Sequence, residues 1–216
     1  MNNPDLFNGI DENKNHELEE KSQILNVEAR IKYKTIEELF EQSQPSSIYY
    51  TLLVLSVIIV TCGLLLQNAP IVIGGMLVTP ILTPLLVISL GVSTAEIKAM
   101  KGPLILLLKS TLFSIIISAA FTLIFGIKEI NQLFVNDLRT AILYFIVASV
   151  SGIAATFAWV RKEVSDILPG VSISVSLVPP LSLLGINLGI LSFEHARFYL
   201  IIYLLNLFGI IVGSLI

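Results

Sequence analysis

Cysteine occurs once in this 216-residue chain, at Cys62, so no intramolecular disulfide can form. Charge is nearly as scarce, with Asp, Glu, Lys and Arg at 13% of residues against 55% hydrophobic. A mean hydropathy of +0.86 excludes an ordinary soluble domain and points to a polytopic membrane protein. There is no cluster of basic residues of the kind that binds nucleic acid. No glycine-rich phosphate loop is present, so ATP-driven pumping would need another chain. His16 and His195 stand far apart, and His, Cys and carboxylates do not gather at metal-ligand spacing, so no metal or cofactor is expected. Gly170-Val171-Ser172 lacks the second glycine of a nucleophile elbow, and no enzyme activity is expected. The start of the chain is polar and acidic rather than signal-like, so the first span is expected to serve as an uncleaved insertion signal.

What is there is organised around Asn68–Gly91, NAPIVIGGMLVTPILTPLLVISLG. This stretch is apolar and about long enough to cross a bilayer. It also carries Pro70, Pro80, Pro84, the pair Gly74-Gly75, and the hydroxyls of Thr79 and Thr83. A proline inside a helix removes an amide and clashes with the carbonyl four residues earlier. Pro80 would free the carbonyl of Met76, and Pro84 that of Pro80. Bare carbonyls survive in lipid only where protein or water satisfies them. The pattern returns at Leu168–Gly189, LPGVSISVSLVPPLSLLGINLG, where Pro179-Pro180 are expected to break the segment and Ser172, Ser174, Ser176 and Ser182 supply hydroxyls. Paired Gly/Pro-interrupted segments in two halves are the best sequence pointer to a transporter-like binding site.

MLVTPILTPLL and PGVSISVSLVPPLSLLGI resemble the two signature stretches of the bacterial and archaeal membrane family catalogued as domain of unknown function 389. The likeness covers roughly Ile48 to the C-terminus. Lys128–Arg139 departs from the family's usual Arg-Thr-Pro pattern, so no role is carried to that loop. The resemblance implies a fold; function rests on the residues themselves.

Residues 1–41 hold ten acidic and five basic side chains, and the remainder six and eight, giving about −5 and +2. Residues 1–46 are expected to form a cytoplasmic acidic tail: disordered to residue 20, then short amphipathic helices around Ile24–Ile31 and behind the capping box Thr35–Glu38. Residues 47–216 form the transmembrane domain. Repeat one, 48–125, reads span Ile48–Leu66, broken segment, polar loop Ser93–Lys101, and span Leu104–Phe125, with Pro103 in that helix's first turn. Repeat two, 141–215, follows the loop Gly126–Thr140. It reads span Ala141–Val160, broken segment, short loop Ser192–Arg197, and span Phe198–Leu215. The small run Ala148–Ala155 suits close helix packing.

Charge bias selects among topologies. With six crossings, Arg30, Lys32, Lys34, Lys98, Lys101, Arg161 and Lys162 share one side against Lys128, Arg139 and Arg197, seven to three. With re-entrant hairpins the count is five to five. The expected fold is therefore all-α and polytopic, with two inverted repeats of three elements, about six crossings, and both termini on the cytoplasmic side of the inner membrane.

The expected site is a meeting of the two broken segments near the midplane: Thr79, Pro80, Thr83 and Pro84 with Ser174, Ser176, Pro179, Pro180 and Ser182. Freed carbonyls suit a cation, and half-helix N-termini suit an anion. Structural use of the same hydroxyls, satisfying kinked backbone, is the competing reading. Lys109 and Asn206 are the intramembrane polar candidates for a pathway, although Lys109 can also snorkel to the interface and Asn206 can bond a neighbouring helix. Glu163 and Asp166 read as loop charges. The expected function is passage of a small polar solute or ion by a homo-oligomer in the bilayer. The alternative is a non-transporting oligomeric scaffold that signals through its tail.

Overall fold

A computed structural model describes residues 43–93, 97–127, 138–160 and 167–215, with side chains undescribed at the ends of these stretches and over 158–176. The N-terminal disorder, amphipathic helices and capping box, together with Glu163 and Asp166, lie outside the described residues. Every described helix belongs to one compact unit, Leu39–Ile216.

Among the described residues the structure is all-helical: α1 (Ser47–Leu65), α2 (Ala69–Val78), α3 (Leu82–Ser93), α4 (Ile97–Ile124), α5 (Leu138–Val160), α6 (Ile167–Gly189) and α7 (Phe193–Ser214). Four of these are long and apolar enough to cross a membrane: α1, most of α4 and α5, and α7. The pair α2 and α3 makes a fifth if read as one span bent by 60°. The chain is thus a polytopic helical membrane protein.

The helix boundaries follow local chemistry. Ser46 caps α1, its hydroxyl accepting from the Tyr49 amide at 3.0 Å. Gln67 turns the chain in a left-handed conformation, φ 54°. Asn68 then caps α2 through the Ile71 amide at 3.2 Å, with Pro70 in the first turn, where its missing amide has no cost. Leu191, φ 60°, makes the corresponding turn before α7.

Three expectations are corrected. The loop Ser93–Lys101 gives way to helix from Ile97, so Pro103 lies inside α4 rather than in its first turn. Ile97-Lys-Ala-Met-Lys101 is a run of good helix formers, which offsets one lost hydrogen bond. The loop Ser192–Arg197 is also mostly helix: Ser192 stands at the N-cap position with its hydroxyl on the His195 ring at 2.8 Å, and Glu194 suits the positive end of α7. Finally, Pro179 and Pro180 do not break the second segment: α6 runs through them without interruption. Packing outweighs propensity here. All eleven residues from Leu177 to Asn187 are buried, and α6 packs against each of the other six described helices.

Contacts fix the helix directions. Tyr49 meets Ser110 and Thr61 meets Ser118, so α1 and α4 run parallel. Gly185 abuts Ile115 and Ser118 while Gly189 abuts Ala119 and Thr122, so α4 and α6 are also parallel. Gly209 lies on Phe145 and Ala148, and Gly213 on Ser149, so α5 and α7 are parallel. Gly63 sits on Val72 and Gly75 on Val60, which makes α1 and α2 antiparallel. At the α5–α7 seam a Cβ on Gly213 would overlap the Ser149 carbonyl, and one on Gly152 the Ile210 carbonyl. The small run Ala148–Ala155 brings the two backbones together, as expected of it.

Candidate functional site

The first interruption lies at Thr79-Pro80-Ile81. Thr79 is extended, φ −74° and ψ 131°, the conformation that a following proline imposes. Its amide turns back to the Met76 carbonyl at 3.3 Å. Met76 is therefore not left bare, contrary to expectation; the carbonyl set free is that of Gly75, which would otherwise receive the Thr79 amide. Pro84 also behaves differently from expectation. It is the third residue of α3, where amides have no intrahelical acceptor, so its ring deprives no carbonyl of a donor.

The freed carbonyl is closed from α1. The Ser56 hydroxyl donates to the Gly75 carbonyl at 2.8 Å and shares a hydrogen bond of 2.8 Å with the Thr79 hydroxyl. Ser56 is completely buried and Thr79 nearly so. Pro80 and Thr83 are half-buried, and Pro84 is buried. The first break is thus a kink sealed by protein.

The second segment is differently arranged. Within continuous α6, Pro179 and Pro180 offer no amide to the carbonyls of Val175 and Ser176. Both prolines are buried, and Ser182, one turn on, is wholly buried with no hydrogen-bond partner for its hydroxyl. Further along α6, Asn187 donates to the Leu183 carbonyl at 2.8 Å while its own side-chain oxygen is unpaired. Ser89 on α3 is likewise buried and unpaired. The side chains of Ser172, Ser174 and Ser176 lie outside the described residues.

Of the pathway candidates, Lys109 is exposed on α4. Asn206 is fully buried in α7. Among the described residues no group of His, Cys, Asp or Glu could hold a metal ion.

Two features escaped sequence reading. One is Ser56, an ordinary serine in an apolar span. The other is a row on α4, Ser110, Ser114, Ser118 and Thr122, all fully buried. Ser110, Ser114 and Thr122 donate to carbonyls of their own helix at 2.7–2.9 Å. Ser110 also meets the Tyr49 hydroxyl and Ser118 the Thr61 hydroxyl, each at 2.9 Å. The regular spacing of four small residues is the signal that could have found this row.

Comparison with known proteins places this geometry in a lineage. An uncharacterised protein of Methanocaldococcus jannaschii is 27% identical over 165 residues, 76% of this chain and 51% of that protein. The chain thus spans about half the length of the curated relative it matches. No solved structure matches it. A family model described as Domain of unknown function (DUF389) matches residues 76–212, from the end of α2 into α7, and on that match over more than half of its length the chain belongs to this family.

Proposed function

We propose that this protein passes a small polar solute or ion across the inner membrane, through a site where the proline-broken segment α2–α3 and the proline-bearing helix α6 approach each other. The observation that carries this reading is Ser182. A buried hydroxyl without a partner costs about 1–3 kcal/mol, and Ser182 stands about two turns along α6 from the carbonyls of Val175 and Ser176, which the prolines deprive of their helical donors. Water, a solute or an ion reaching this stretch of α6 would satisfy such groups.

The helix directions support six crossings. In each half the outer helices run parallel, α1 with α4 and α5 with α7, as expected if the middle segment crosses. The 60° bend between α2 and α3 falls well short of a re-entrant reversal. Three crossings per half make the halves inverted, and the charge bias then assigns both termini to the cytoplasm. Register supports a common depth for the two segments. Thr79 is level with Ser56, which lies between the α4 partners Ser110 and Ser118, and Ser118 abuts Gly185. Those steps bring Thr79 within about one helical turn, roughly 5 Å, of the height of Pro180. In addition, α2 packs directly on α6. Assembly into a homo-oligomer is part of the same proposal.

The bonded first break favours a second reading, an oligomeric scaffold with a dry interior, because Ser56 already satisfies the Gly75 carbonyl there. Reconstitution of the full chain into vesicles separates the two. Flux of small polyols or monovalent ions above that of empty vesicles, lowered about tenfold by Ser182→Ala with unchanged thermal stability, supports passage. Background flux for every solute supports the scaffold.

A further inference from the structure

A groove of about 460 Å³ runs between the start of α1 and the middle of α4. Its lining changes character along α1. Ser47, Tyr50 and Thr51 bring hydroxyls to one end, while Val54 and Leu55, with Phe113 across from them, make the other end apolar. Two contacts hold this shape: the Tyr49 hydroxyl on Ser110 at 2.9 Å, and the Tyr50 ring edge-on to Phe113 at 6.4 Å.

The same contacts fix the height of Lys109. It precedes Ser110 and lies one turn before Phe113, so its backbone stands level with the first turn of α1. Lys109 and Phe113 share a helix face, and both are exposed. Helical side chains lean toward their own N-terminus, so the Lys109 stem runs toward the end of the bundle where α1 and α4 both begin. Exposed Lys98 and Lys101 stand further out on α4 at that end. Neither α1 nor α4 contains an Asp or Glu to neutralise Lys109.

Hydroxyls at one end of the groove, a cation one turn before Phe113 on α4 beside that end, and an apolar trough leading away into the span are complementary to an anionic amphiphile. The geometry points to a binding site for one anionic phospholipid in this groove. Its phosphate lies between Lys109 and the hydroxyls of Ser47 and Tyr50, and an acyl chain follows Val54, Leu55 and Phe113. An ammonium on a flexible stem meets phosphate as a point charge, and basic side chains at a membrane surface select anionic lipids.

The purified full chain in neutral detergent tests this through its thermal midpoint. Phosphatidylglycerol is expected to raise Tm by roughly 3 °C or more, with a much smaller rise from phosphatidylcholine. Lys109→Gln is expected to remove the difference between the lipids and Lys109→Arg to keep it. On the unaltered chain, high salt is expected to shrink the difference, which keeps the test independent of whether the variants fold. Equal rises from the two lipids, or a difference that survives both Lys109→Gln and high salt, overturns the proposal. A dimer mass with no retained phosphatidylglycerol in native mass spectrometry would make the occupant a second copy, and also overturns it.

Discussion

Ser56 on α1 donates a hydrogen bond of 2.8 Å to the carbonyl of Gly75 on α2, the group that the first proline interruption releases. A serine nineteen residues upstream thus makes the kink tolerable in an apolar surround. Ser56→Ala leaves that carbonyl without a donor and removes the partner of Thr79. The expected loss is about 1–3 kcal/mol, read as a lower midpoint in thermal or denaturant unfolding in detergent. An unchanged midpoint would mean that the seal contributes nothing.

The two proline positions of the first segment differ in kind. Pro84 lies in the first turn of α3, so Pro84→Ala is expected to change little. Pro80 holds Thr79 extended, so Pro80→Ala is expected to straighten the 60° bend. Spin labels at the exposed positions Ile73 and Val92 flank the bend, and their separation should lengthen in Pro80→Ala alone. A constant separation would assign the bend to packing.

Glycine substitutions should divide by contact. Gly213→Ala drives a methyl into the Ser149 carbonyl and forces α5 and α7 apart, with an expected loss of about 1–3 kcal/mol. Gly74→Ala meets open space and is expected to gain up to about 1 kcal/mol from helix propensity. Tm of the two variants, measured side by side, checks the contrast. Similar values would contradict the parallel seam between α5 and α7.

Ser182→Ala removes a buried hydroxyl that has no partner in the protein. In a dry interior the change is expected to be neutral or stabilising by about 1 kcal/mol. If water or solute bonds Ser182, the variant instead loses flux while its Tm stays within a degree or so. Flux and Tm measured on one preparation separate these outcomes.

Much of this fold was legible from single residues. Asn68 with Pro70 marks a helix start, and Pro80 marks an end because the residue before a proline resists helical geometry. The run Ala148–Ala155 announced close helix packing, and its partner is α7. The second segment was not legible in the same way. Pro179-Pro180 follow the same local rule, but α6 is the central helix, and contacts with six neighbours keep it continuous. No local signal reports how many neighbours a helix will have. Ser56 was illegible for a related reason: its role depends on standing opposite Gly75, which only the α1–α2 register decides. Lys109 read as an intramembrane charge able to snorkel, and it falls within the candidate span Met100–Ile124. What the sequence did not show is that its neighbour Ser110 meets Tyr49 in the first turn of α1.

The central proposal is that water reaches the break between α2 and α3 and the proline-bearing stretch of α6. The most direct test is thiol accessibility in sealed membranes. Cys62→Ser supplies the background, and Thr83→Cys and Ser182→Cys are made singly on it, with Leu191→Cys in the turn before α7 as the accessible control. A membrane-impermeant maleimide is applied from each side in turn. The expected result is labelling at both Thr83→Cys and Ser182→Cys. Labelling of the control with neither interior position modified from either side would contradict an aqueous path and favour the scaffold.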